Sequence, residues 1–156
     1  MIRTEAEYNR SIERLEEENE IINAQRLHFI GLGYEGEELE RLMQPSISFH
    51  EQLKEEVEAY ERMKRGDLDQ LHDFNNIGRW LIGLRIAFGL TQKEMAEKLG
   101  VSPAQVSRDE TNDYHGITIE RVQYILEKFG VKFTAEIENP IPPLKSNSEN
   151  NNIVYA

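Results

Sequence analysis

Apolar residues recur along this chain at helical spacing, and the places where the spacing changes divide it into regions. From Glu5 to Ile30, Tyr8, Ile12, Leu15, Ile22 and Phe29 follow alternating steps of four and three, with Asn19 and Arg26 in the remaining places. This heptad stripe predicts a helix with one buried seam and charged flanks. Gly31-Leu32-Gly33-Tyr34 interrupts it, and a second stripe runs through Leu39, Leu42, Phe49, Leu53, Tyr60 and Met63. Pro45-Ser46 predicts a kink or break there, with Ser46 capping the part that follows. Two stripes joined by a short glycine turn predict an antiparallel helical hairpin. Asn19 has two readings: a polar seam residue that fixes register, or a residue rotated out to solvent.

Gly66-Asp67 ends the hairpin pattern. Further on, Ile77, Leu81 and Leu84 form one inward stripe, while Trp80, Ile82, Ile86 and Phe88 make the same segment apolar nearly all round. Such a helix is buried on more than one side, so the hairpin or a second subunit is expected to dock on it. Thr118 caps a helix from Ile119 to Phe129 with Val122, Ile125, Leu126 and Phe129 inward, and Gly130 stops it. Val131 to Ile137 alternates apolar and polar residues, the period of a strand. A lone strand either pairs with its copy in a second subunit or lies as an extended segment on the surface. Pro140-Ile141-Pro142-Pro143 and the Ser/Asn-rich remainder read as a disordered tail over 139–156.

Composition narrows the function classes. The chain has no cysteine, which excludes disulfides and cysteine-held zinc, and His28, His50, His72 and His115 are scattered without ligand spacing. No basic segment followed by an apolar run opens the chain, and no apolar stretch approaches the ~20 residues that cross a bilayer, so a cytoplasmic protein without a membrane partner is expected. A glycine-rich phosphate loop, a nucleophile elbow and paired inward carboxylates are all missing, so neither an enzyme nor a cofactor is expected. The net charge of −11 at first opposes nucleic-acid binding. Residues 1–72, however, hold 9 basic and 18 acidic side chains, against 8 and 10 in residues 73–139. The acidity lies mainly upstream, where runs such as Glu16-Glu17-Glu18 and Glu37-Glu38 form a solvated face or attract a basic protein.

The run from Gly89 to Glu110 predicts two short helices joined by a tight glycine turn. Thr91 and Glu94 stand at capping-box spacing, Met95, Ala96 and Leu99 face inward, and Ala96 is small where the helices cross. Gly100 suits a left-handed helix end, Val101 plugs the core, and Ser102-Pro103 open the second helix with a cap and a proline at its first position. With Val106 inward and ~100° of rotation per residue, Ala104 and Arg108 point outward, flanked by Gln105, Ser107 and Thr111. Arg108 suits a bidentate contact to guanine, Gln105 suits adenine, and Ala104 suits a thymine methyl. Arg108 has the alternative of a surface salt bridge with Asp109 or Glu110.

Ile77-Gly78 with Leu81, Leu84 and Arg85, then Gly89-Leu90-Thr91-Gln92, Ala96, Leu99-Gly100-Val101-Ser102 and Val106-Ser107-Arg108 with Glu110, resemble the XRE family of lambdoid phage repressors and Cro proteins over residues 74–130. The Tyr8 and Tyr60-Glu61 ends of the hairpin resemble a helical extension found in some XRE-type proteins. The resemblance implies a mainly α fold: an antiparallel coiled-coil hairpin (1–66) for docking or dimerisation, then a lambda-repressor-like helix-turn-helix domain with a terminal strand (67–138). It implies base contacts by Ala104, Gln105, Ser107 and Arg108. Backbone contacts are expected from Thr91, Gln92, Ser102, Thr111, Asn112 and Tyr114, with Gln92 also bracing Gln105 or a base. It also implies a structural ion pair between Arg85 and Glu110. Asp109 departs from the family pattern, which has an aliphatic residue there, and this predicts a rotated or differently held recognition helix. The expected protein is a sequence-specific regulator of double-stranded DNA, a repressor acting as a homodimer. The alternatives are a HigA-type antitoxin that neutralises a basic toxin and autoregulates its operon, and an interaction protein whose motif has lost DNA binding.

Overall fold

Thr4 starts the first helix through a reciprocal cap. Its hydroxyl accepts the Glu7 amide (3.2 Å), and the Glu7 carboxylate accepts the amides of Arg3 (2.8 Å) and Thr4 (3.3 Å). Helix α1 (Glu5–Gly31) then turns back through Gly33 into α2 (Gly36–Lys64) in the computed structural model, which describes residues 1–68 and 74–134. Contrary to the sequence expectation, α2 runs unbroken through Pro45. Pro45 is exposed, so water can reach the carbonyl that its ring frees, and Ser46 is not a cap but donates to Gln25 Oε1 across the hairpin (2.8 Å).

The seam of the hairpin differs from the predicted one. In α2 it follows Leu39, Met43, Ser46, His50, Leu53, Val57 and Tyr60, while Phe49 is 67% exposed and Leu42 40%. In α1 the less exposed row keeps the predicted Tyr8, Ile12, Leu15, Ile22 and Phe29 and adds Glu18 and Gln25, and Asn19 is exposed. A pair of long helices meets along one continuous row set by its 3.5-residue period. Polar residues on that row are carried inward, and Phe49 beside it stays out.

A single buried cluster joins the hairpin to the rest. Ile2, Val57 and Tyr60 pack with Leu81, Ile82, Leu84 and Ile86 of α3 (Ile77–Ala87), which follows a 3-10 turn at Phe74–Asn76. Every residue from Leu81 to Ile86 is buried, because α2 covers one side of α3 and the helix-turn-helix the other. At Gly83 a Cβ atom would stand 3.0 Å from Leu68 and 3.2 Å from Met63, so glycine sets the close approach there.

Three further helices follow among the described residues: α4 (Gln92–Leu99), α5 (Pro103–Thr111) and α6 (Ile119–Phe129). Helix α6 is capped by Thr118 and ends at Gly130 in a left-handed conformation, with Ile125, Leu126 and Phe129 buried. The expected C-terminal strand is not formed. Val131–Thr134 has no regular secondary structure, and the Val131 amide is used to close α6 on the Leu126 carbonyl (2.9 Å). There is no strand among the described residues to pair with it, so the fold is mainly α. Residues 135–137 of that segment and the 139–156 tail lie outside the described residues. No helix among the described residues is long and apolar enough to cross a membrane.

Candidate nucleic-acid interface

Local chemistry fixes α4 and α5 before any long-range contact is considered. Thr91 accepts the Glu94 amide (3.2 Å) while Glu94 accepts the Thr91 amide and hydroxyl (both 2.8 Å). The Thr91 amide and then its hydroxyl hold the Glu94 carboxyl below its ordinary range. Gly100 ends α4 at φ 66°, Ser102 accepts the Gln105 amide (3.2 Å), and Pro103 occupies the first turn of α5. Met95, Ala96, Leu99 and Val106 are buried where the two helices cross.

Arg85 and Glu110 tie α3 to α5 in the interior, at 3% and 0% exposure. Arg85 donates through Nε to Glu110 Oε1 (2.5 Å) and through Nη2 to Oε2 (2.8 Å), a bidentate pairing. Its Nη1 reaches the Leu90 carbonyl (2.7 Å), and Nη2 also reaches the Arg3 carbonyl (2.9 Å). Gln92 Nε2 gives Glu110 a further donor (2.9 Å). Both buried charges are therefore hydrogen-bonded throughout, the condition under which burying them is tolerable.

With Val106 and Glu110 inward, the opposite face of α5 carries Ala104 and Arg108, both exposed, with Gln105 and Ser107 half-buried beside them. Arg108 Nη2 donates to Gln105 Oε1 (2.9 Å), and Gln105 Nε2 donates to Asp109 Oδ1 (2.6 Å). Asp109 thus anchors the polar row rather than entering the core, and α5 keeps Val106 inward as its pattern requires. Gln92 braces Glu110, not Gln105. Thr91 and Ser102 are exposed and occupied as caps, Thr111 donates to the Ser107 carbonyl of its own helix (2.7 Å), and Asn112 is exposed at the end of α5.

Tyr114 departs from its expected place at the DNA backbone. It is buried, and its hydroxyl has no hydrogen-bond partner among the described residues. Asp113 and Tyr114 both take left-handed conformations, at φ 48° and 53°, which turn the chain onto α3 and put the ring inside. Gly78 makes this turn possible, since a Cβ there would fall 1.7 Å from the Asp113 carbonyl oxygen.

Asp113 is the functional-region residue that sequence reasoning missed. It accepts from Arg3 Nη2 (2.9 Å) and Arg79 Nε (3.2 Å). Burial raises its carboxyl pKa, but hydrogen bonds from the two arginines outweigh this and hold it below the ordinary 3.8. Gly78 inside an apolar helix was the available signal, because a glycine there marks a close backbone approach.

Residues 82–135 match the family model described as Helix-turn-helix. No curated protein and no solved structure matches the chain. The match begins inside α3, spans α4, α5 and α6, and contains the buried Arg85–Glu110 pair together with the outward face of α5. Residues 82–135 are therefore similar to a helix-turn-helix domain, which supports a DNA-binding transcriptional regulator of XRE type.

Proposed function

We propose that the protein is a sequence-specific repressor that binds double-stranded DNA as a homodimer, with α5 in the major groove. The observation that carries this reading is the outward face of α5: Ala104 and Arg108 exposed, Gln105 and Ser107 beside them, on a helix whose inner side is locked by Glu110. Ala104, Gln105, Ser107 and Arg108 contact base edges. Thr91, Gln92, Ser102, Thr111 and Asn112 serve the sugar-phosphate backbone, where the α4 and α5 N-termini present amides. The hydrogen bonds that link Arg108, Gln105 and Asp109 set the side chains in a row along one face and exchange for base contacts on binding.

Selection from random duplex DNA tests the proposal. The enriched sequence is expected to have two-fold symmetry with half-sites about 34 Å apart. Arg108→Ala is expected to remove about 1–3 kcal/mol of discrimination against random duplex while leaving the helical circular dichroism unchanged. An Arg108→Ala protein with undiminished preference for the selected duplex overturns the assigned face.

The charge of the hairpin region, with Leu42 and Phe49 exposed on α2, favours a second reading, an antitoxin of a HigBA-like module that neutralises a basic toxin. Co-purification with the product of an adjacent small, basic reading frame distinguishes it from a plain repressor.

A further inference from the structure

The helix-turn-helix does not hold its own recognition-helix loop unaided. The turn after α5 places two consecutive non-glycine residues, Asp113 and Tyr114, in the left-handed region, a conformation kept only when the surroundings over-determine it. Helix α3 contributes Gly78 as a floor and Arg79 as one partner for Asp113, both just ahead of the matched residues 82–135. The other partner, Arg3, comes from the segment before α1, 110 residues away in sequence.

Arg3 is itself placed with care. Ile2 before it is 4% exposed and belongs to the core shared with Val57, Tyr60 and α3. The Arg3 amide is held by Glu7 in the α1 cap, its carbonyl accepts Arg85 Nη2, and its guanidinium reaches Asp113. Residues 2–4 therefore run from the hairpin to two supports at the C-terminal end of the recognition helix. One contact goes to the arginine that clamps Glu110, and the other to the loop that follows Thr111 and Asn112.

We propose that Arg3, seated by Ile2, is a positioning residue for the DNA-reading helix, so that the docked hairpin sets the affinity of a surface it does not share. This rests on the DNA-binding reading above. The position of the hairpin reaches α5 through the Glu7 cap, Arg3, and then Asp113 and Arg85.

The test compares Arg3→Ala, Arg3→Lys and Asp113→Asn in the full chain, using the selected duplex. Arg3→Ala and Asp113→Asn are each expected to weaken binding about 2- to 30-fold, the range for a residue coupled to a site it does not touch. Their double variant should lose little more than either alone. Arg3→Lys, which keeps a cation near Asp113, should recover part of the loss. Asp113→Asn is the decisive member, because it removes a negative charge: a purely electrostatic effect on DNA would raise affinity, and positioning lowers it. The salt dependence of binding should be unchanged in Arg3→Ala, whereas a direct phosphate contact would lower the slope by about 1. Hydrogen exchange at the Asp113, Tyr114, His115 and Ile117 amides, read without DNA, should quicken in Arg3→Ala. Unchanged exchange there, a lowered salt slope, or tighter binding by Asp113→Asn overturns the proposal. If the wild-type chain selects no duplex, the DNA-binding reading fails, and the exchange measurement alone decides whether Arg3 holds the loop.

Discussion

Arg85 and Glu110 lie deep in the helix-turn-helix with an acceptor for every guanidinium nitrogen. Glu18 and His50 face each other across the hairpin seam at 3.7 Å, and neither Glu18 Oε2 nor His50 Nδ1 has a hydrogen-bond partner among the described residues. Both pairs put charge-bearing groups between packed helices, yet only the first is satisfied. Arg85 and Glu110 are almost wholly removed from water, where an unmet polar group is most unfavourable. Glu18 and His50 keep 19% and 14% exposure as whole side chains, Glu18 Oε1 accepts from Arg14 (2.7 Å), and only the facing atoms Glu18 Oε2 and His50 Nδ1 are buried without a partner among the described residues. A buried polar network fixes one arrangement of α3, α4 and α5. The seam of the hairpin is fixed instead by its period and its apolar ends, with polar residues tolerated midway.

The sharpest way to break this contrast is Glu110→Ala. It leaves Arg85 buried beside an empty place, and the expected loss is about 3–5 kcal/mol of unfolding free energy by urea denaturation. A loss near 1 kcal/mol would show that the pair is no more than an exposed bridge.

A smaller effect is expected at the half-exposed Asp113. Its native carboxyl titrates below its ordinary value, so its contribution to stability is complete above about pH 5 and is lost as pH falls through 3.8 and the native value. The stability difference between the wild-type chain and Asp113→Asn should therefore be constant from neutral pH to about pH 5 and shrink below it. A difference that grows on acidification would contradict the two arginine contacts.

The smallest change is expected in the hairpin, where the double substitution Glu18→Leu with His50→Leu should alter stability by about 1 kcal/mol or less, or increase it, because both half-met polar groups leave together. A loss above about 2 kcal/mol would place the hairpin pair alongside Arg85–Glu110 and remove the contrast.

The sequence by itself determined the local elements. Thr91, Ser102 and Thr118 act as caps, and Gly100 and Gly130 take left-handed φ, since these roles depend on backbone chemistry within a few residues. The two hairpin helices, the all-round burial of α3 from Leu81 to Ile86 and the inward Val106 were legible for the same reason: periodicity records which face must leave water. What lay beyond reach was any choice between nearby rows and any contact across the fold. Phe49 looked like a better seam residue than His50, yet the common row of two packed helices put His50 inside. The strand pattern from Val131 lacked a described partner, and the amide of Val131 closed α6 instead. Tyr114 moved into the core because a turn onto Gly78 aimed it there. Arg3 joined the support of α5 only once α1, α2 and α3 had packed, because a hydrogen bond spanning 110 residues leaves no periodic trace in the chain and exists only where tertiary packing brings its ends within 2.9 Å.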